Sequence, residues 1–122
     1  MYTIEYEMDG GVLVVSVSGA ISSGEQAVEK ALKVVGMGLK AGVNRVLLDE
    51  RELNISVDVH GIVNVANELE KRDILYHGGR MACLYRAECR DIYQVYETVY
   101  KNRSLSYQLF DDPDKALAWL RE

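Results

Sequence analysis

The chain has 122 residues, 48% of them apolar and 27% charged, which predicts one globular domain over 1–122 and excludes a disordered chain. Nineteen acidic residues against 14 Lys and Arg give a net charge of −5, so the basic footprint of a nucleic-acid binder is missing. No run approaches the ~20 apolar residues that span a bilayer, and the opening Met1-Tyr2-Thr3-Ile4-Glu5 lacks the basic-then-apolar order of a signal peptide, so a cytoplasmic location is expected.

Tyr2, Ile4, Tyr6 and Met8 alternate with Thr3, Glu5 and Glu7, the period of a half-buried strand over 2–8. Asp9-Gly10-Gly11 tolerates positive φ and predicts a hairpin into a second strand, Val12 to Ser18, with Leu13, Val15 and Val17 on one face. Ser22-Ser23-Gly24-Glu25 has the form of a capping box with Ser22 as cap, and Val28, Ala31, Leu32, Val35 and Leu39 fall on one helical stripe behind it. Gly36, Gly38 and Gly42 predict that this helix frays or ends near them. Arg45-Val46-Leu47-Leu48-Asp49 is a short apolar run, expected as a strand buried on both faces. Ser56 is placed to cap the next helix, with Asp58 in its first turn and Val59, Ile62, Val63, Ala66 and Leu69 facing inward. A turn at His77-Gly78-Gly79 leads into a strand over Arg80–Tyr85. Ala87 to Lys101 reads as a third helix with Ile92, Val95 and Val99 inward, and Leu105 to Phe110 as a fifth strand. Asp112 caps a last helix with Pro113 in the first-turn position that proline tolerates best, docked by Ala116, Leu117, Trp119 and Leu120.

The predicted order is β-β-α-β-α-β-α-β-α, an α/β fold with a five-stranded, mostly parallel sheet and an antiparallel first strand. Strands separated by helices pair in parallel, and right-handed crossovers between neighbours gather the helices mainly on one face. The other face is left for solvent, a partner subunit or a second docked element.

Three segments resemble the STAS family, in particular the SpoIIAA-like group of bacterial anti-sigma-factor-antagonist relatives, which shares its fold with lipid-binding SEC14 domains. Val46-Leu47-Leu48-Asp49 resembles the family's central apolar strand, and Val57-Asp58-Val59-His60-Gly61-Ile62 the loop-to-helix junction where antagonists carry Asp-Ser-Ser-Gly-Leu. The third, Leu109-Phe110-Asp111-Asp112-Pro113-Asp114-Lys115-Ala116-Leu117-Ala118-Trp119-Leu120, is similar to the closing strand-turn-helix of such domains. Placing Gly61-Ile62 on the family's Gly-Leu puts His60 where the phosphorylated serine would stand and Val59 beside it, so the serine switch is absent from this motif. The resemblance implies a bacterial, non-catalytic regulatory interaction module. Its docking residues are Asp58, His60, Gly61, Asn64 and Asn67, its partner an anti-sigma-type regulator, and self-association as a homodimer is expected through the helix-free sheet face.

Other constellations bear on chemistry. His60, Asn64, Asn67 and Lys71 form a polar strip along one side of the second helix, either a solvated face or a docking strip. Asp49-Glu50-Arg51-Glu52 is expected as a surface ion-pair loop at the end of the central strand, where Arg51 argues against a cation site. Tyr93, Tyr96 and Tyr100 recur at helical spacing, in a chain that also has Tyr76, Tyr85 and Tyr107. They suit either boundary packing or the rim of a binding surface. The alternative to the docking module is accordingly a carrier holding a small apolar or lipid-like ligand between sheet and helices, with these tyrosines at the mouth. Arg80, Arg86, Arg90, Lys101 and Arg103 are interleaved with Glu88, Asp91 and Glu97, a mixed solvated surface. Cys83 and Cys89 are too few for a disulfide framework, and neither lies at zinc-ligand spacing from His60 or His77, so reduced thiols, no metal and no cofactor are expected. Arg86 and Arg90 would favour a thiolate at Cys89, but Glu88 and Asp91 oppose them, and no base is in reach by sequence. A Gly-x-Ser-x-Gly elbow is absent, and Gly36-Met37-Gly38 falls at a helix end, whereas phosphate cradles need a helix start.

Overall fold

The computed structural model describes residues 1–71 and 79–122. Tyr76 and the His77-Gly78 part of the turn before the fourth strand lie outside the described residues. Strands β1 (Tyr2–Asp9) and β2 (Val12–Ile21) are followed by α1 (Gly24–Ala41), β3 (Arg45–Ile55), α2 (Val59–Lys71) and β4 (Arg80–Tyr85). A 3-10 turn (Ala87–Cys89) then leads into α3 (Arg90–Lys101), β5 (Tyr107–Phe110) and α4 (Pro113–Leu120). The strands lie in the order β1-β2-β3-β4-β5, with β1 antiparallel to β2 and every other pair parallel.

Local chemistry sets the element ends. Gly10 and Gly11 both take positive φ (53° and 85°), which is what a two-residue hairpin turn matched to strand twist requires. The cap of α1 is Ser23, not Ser22: its side chain accepts from Gln26 N at 3.2 Å, and Gln26 Oε1 accepts from Ser22 N at 2.9 Å. The box is therefore Ser-x-x-Gln, one residue later than expected. Gly36 and Gly38 do not stop α1, which runs to Ala41. It ends at Gly42, whose φ of 71° lets Val43 N reach Gly38 O at 3.1 Å.

Strand β3 continues well beyond Asp49 and carries a bulge. Ser16 pairs with Asp49 and Ser18 with Glu52, so two residues, Glu50 and Arg51, oppose Val17 alone. Asp49–Glu52 is thus part of a strand, not the surface loop expected. The bulge switches the inward parity from Val46, Leu48 and Glu50 to Leu53 and Ile55, all of them buried.

Two cores flank the sheet. Helices α1, α2 and α3 pack on the face of Leu13, Val15, Val17, Val46, Leu48 and Cys83. Helix α4 lies on the opposite face, where Ala116 and Leu120 cover Val12, Leu47, Ala82 and Leu84. It follows the last strand and is no crossover, so the handedness rule does not constrain it. The face expected to be helix-free and open to a second copy is therefore covered by α4 over β2 to β4. Arginines at the starts of β3 and β4 satisfy the last carbonyls of this helix: Arg45 Nε donates to Leu120 O at 2.9 Å and Arg80 Nη1 to Trp119 O at 2.7 Å. At its other end Asp112 caps, accepting from Asp114 N at 3.0 Å. Asp112→Ala should cost about 1 kcal/mol, read as a melting temperature lower by about 4 °C.

The inward stripes of α2 and α3 differ from expectation. In α2, Val65 is buried with Ile62, Ala66 and Leu69, while Val63 is half-buried and Val59 is 57% exposed. In α3 the buried stripe is Tyr93, Tyr96 and Tyr100, and Ile92, Val95 and Val99 flank it half-buried. The tyrosine stripe faces in because β3 offers a buried partner, described below.

Candidate functional site

Strands β2 and β3 deliver the starts of α1 and α2 to the same end of the sheet, the carboxyl ends of parallel strands. Ser22, Ser23, Gly24, Ser56, Val57 and Asp58 line a shallow polar depression there. Asp58, not Ser56, caps α2: Oδ1 accepts from Gly61 N at 2.8 Å and its carbonyl from Ile62 N at 3.1 Å. His60, Asn64 and Asn67 are exposed along the outer side of α2, with Lys71 at its end. Asn67 accepts from Arg103 Nη2 at 2.8 Å, and the same guanidinium pairs with Glu70, so the turn after α3 staples the far half of this strip. Gly61 stands apart from it. The residue is buried, and an added Cβ would sit 3.5 Å from Gly24 Cα, so it serves the α1–α2 contact. The start of α2 thus presents Asp58, Val59, His60 and Asn64 to solvent together.

A second polar group lies inside the main core. Glu50 of β3 is fully buried; its Oε2 accepts from Lys30 Nζ of α1 at 2.7 Å and its Oε1 from the Tyr93 hydroxyl of α3 at 2.8 Å. Burial works against the Lys30 ammonium, but the Glu50 carboxylate more than reverses this and holds its pKa above the ordinary lysine value. Burial, then the charge on Glu50, keeps the Tyr93 phenol protonated, as a donor must be. Rings of Tyr85, Tyr93, Tyr96, Tyr100 and Tyr107 follow one another at centroid distances of 4.9–6.1 Å. Tyr93, Tyr96 and Tyr100 are all buried, so they form no rim for a protein partner. They line a cavity of about 60 Å³ between sheet and helices.

Lys30 is not singled out by sequence, and Glu50 is read there only as part of the Asp49–Glu52 surface ion-pair loop, because charged residues read as surface. Each nevertheless sits on an apolar period: Lys30 between Ala27, Ala31 and Val34, and Glu50 in the alternation Val46-Leu48-Glu50.

The remaining candidates fall into structural roles. Both thiols are buried; burial pushes that of Cys83 up, and Cys89 Sγ faces Ile55 O at 3.7 Å and Asn54 Oδ1 at 3.9 Å. Arg51 closes a bidentate pair on Asp49 at 3.0 and 2.8 Å, and this bond holds the Asp49 carboxyl below the usual range. Arg80, Arg86, Lys101 and Arg103 are each engaged by protein oxygens. Among the described residues no group of three or more His, Cys, Asp or Glu could hold a metal ion, and no helix is long and apolar enough to cross a membrane.

No protein-family model matches the chain, and no curated protein does. Solved structures do. An anti-sigma factor antagonist from Mycobacterium paratuberculosis superposes with a TM-score of 0.68 at 20% identity, over 100% of this chain and 96% of that one. An uncharacterized protein of the DUF3478 family with a SpoIIAA-like fold, from Shewanella loihica, gives 0.58 at 16% identity, over 98% and 93%. The anti-sigma factor antagonist SpoIIAA in its unphosphorylated form gives 0.53 at 18% identity, over 98% of both chains. Likeness at such identities speaks for the path of the chain, and this chain has a SpoIIAA-like fold.

Proposed function

We propose that this protein is a non-catalytic bacterial regulatory module that works in the cytoplasm by docking a protein partner, an anti-sigma-type regulator being the first candidate. The observation that carries this reading is the exposed start of α2, where Val59, 57% exposed, stands between Asp58 and His60 with Asn64 one turn on. An apolar residue rimmed by polar ones at a rigid helix start is the make-up of a small protein-binding surface. It lies where the resemblance places the antagonists' partner-facing motif, in a fold shared with two anti-sigma factor antagonists. That motif is absent in its phosphorylatable form, since His60 occupies the serine position. A partner is then held without a serine switch at this point, and control of docking rests elsewhere.

Pull-down with the wild type and a His60→Glu variant tests this. Because Asp58 already contributes a carboxylate, the added charge should repel a partner fitted to the present surface and cut its recovery at least tenfold. Equal recovery by the two proteins removes the start of α2 as the docking surface.

A further inference from the structure

The cavity beneath α1 and α3 has a chemistry of its own. Its wall includes Val34, Val35 and Leu48 as apolar surface, with Lys30, Glu50, Tyr96 and Ser106 among the residues that carry polar groups. Glu50 has both oxygens occupied, by Lys30 Nζ and the Tyr93 hydroxyl. The hydroxyl of Tyr96, a residue only 3% exposed, is buried with no hydrogen-bond partner among the described residues. Buried hydroxyls are nearly always satisfied, and an orphan beside an empty volume is most simply explained by something that fills it.

We propose that this cavity is a binding site for a small neutral molecule with an apolar body and one hydrogen-bond acceptor, received by the Tyr96 hydroxyl. Neutrality follows from charge: Lys30 and Glu50 cancel each other, so an entering ion would be desolvated without a counter-charge. The acceptor follows from the wall, where the Glu50 carboxylate already has two donors and the Tyr96 O–H is a buried donor with no partner among the described residues. Size follows from the volume of about 60 Å³. An apolar cavity of ~150 Å³ takes benzene, so about two to three heavy atoms fit here. A lipid tail is far too large, which narrows the carrier weighed from sequence as the alternative to a site for a much smaller molecule. The inference is independent of the docking surface on α2, and the two are tested by different measurements.

Acetonitrile is a suitable probe, with three heavy atoms, an apolar methyl and a nitrogen that only accepts. Titrating it into the full chain while following amide resonances should give saturable shifts at Ala31, Leu48 and Tyr107, with affinity in about the millimolar range for so few atoms. Its nitrile stretch should move to higher wavenumber as the phenol donates to it. Tyr96→Phe, which deletes only an unpaired hydroxyl and should fold as well as the wild type, should weaken binding about threefold to tenfold and abolish that vibrational shift. Ala31→Leu, filling the wall, should remove binding. Linear, non-saturating shifts in the wild type overturn the site. Unchanged affinity and nitrile frequency in Tyr96→Phe overturn the recognition, and that variant decides the matter should Ala31→Leu not fold.

Discussion

Replacing Lys30 with methionine is expected to destabilise the fold by about 3–5 kcal/mol, because it strips a buried carboxylate of its counter-charge. Glu50 is fully buried, and among the described residues Lys30, 6% exposed, is its cationic partner at 2.7 Å, with Tyr93 supplying a second hydrogen bond. The size of the effect comes from the charge left behind and says little about the net worth of the pair. The double variant Lys30→Met/Glu50→Leu should therefore recover most of the loss, since an apolar replacement of a whole buried pair is often close to neutral. In urea the single variant should shift the midpoint by about 2 M at an ordinary slope for this size, and the double variant by much less. A shift under about 0.5 M in the single variant would mean that Glu50 finds other solvation and that the pair does not hold α1 to β3.

The same pair sets an alkaline limit. The pKa of Lys30 is raised in the folded protein above its ordinary value of 10.5, with burial acting against the charge and Glu50 overcoming it. A raised lysine contributes stability that is complete below 10.5 and is lost as pH climbs through the folded value. Against the double variant Lys30→Met/Glu50→Leu, which carries neither charge, wild-type stability should thus hold steady through neutral pH and fall only above about 10.5.

How far the fold could be read from sequence depended on whether one local signal had one local solution. The two-glycine hairpin, the Asp112-Pro113 helix start and the element order have such solutions, and they stand as read. Helix α3 did not: Ile92, Val95, Val99 and Tyr93, Tyr96, Tyr100 satisfy the helical period equally well. What selects the tyrosines is a carboxylate 43 residues upstream of Tyr93, buried on another element. The Lys30–Glu50 pair failed for the same reason, being 20 residues apart and credible only as a couple. Position in an apolar period could have flagged each member, but neither could be accepted as buried before the other was placed beside it. The face chosen by α4 was illegible for a different reason, since chirality governs helices that join two strands and leaves a terminal helix free. For the candidate site, the exposed polar positions of α2 were readable from periodicity. Val59 was not, because an apolar residue at a helix start reads as core until the cap is located at Asp58.

Gly61→Ala should destabilise the protein by about 1–3 kcal/mol although it replaces a helical glycine. Helix propensity alone argues the other way, favouring alanine by about 1 kcal/mol. Packing decides against it. The new methyl would stand 2.5 Å from Val57 Cγ1 and 3.3 Å from Asp58 Oδ1, with Gly24 Cα of α1 at 3.5 Å. Val57 is buried and β-branched, so it has little rotamer freedom to move aside. Asp58 Oδ1 is the oxygen that caps α2, so displacing it loosens the very turn that presents Val59 and His60. Removing the obstruction in Val57→Ala/Gly61→Ala should make the second substitution far cheaper than it is alone, a coupling that a double-mutant cycle in urea measures directly. A Gly61→Ala variant as stable as the wild type would show that α1 and α2 have room to part. The glycine would then matter to docking through its exposed neighbours, and its place between the two helices would carry no constraint.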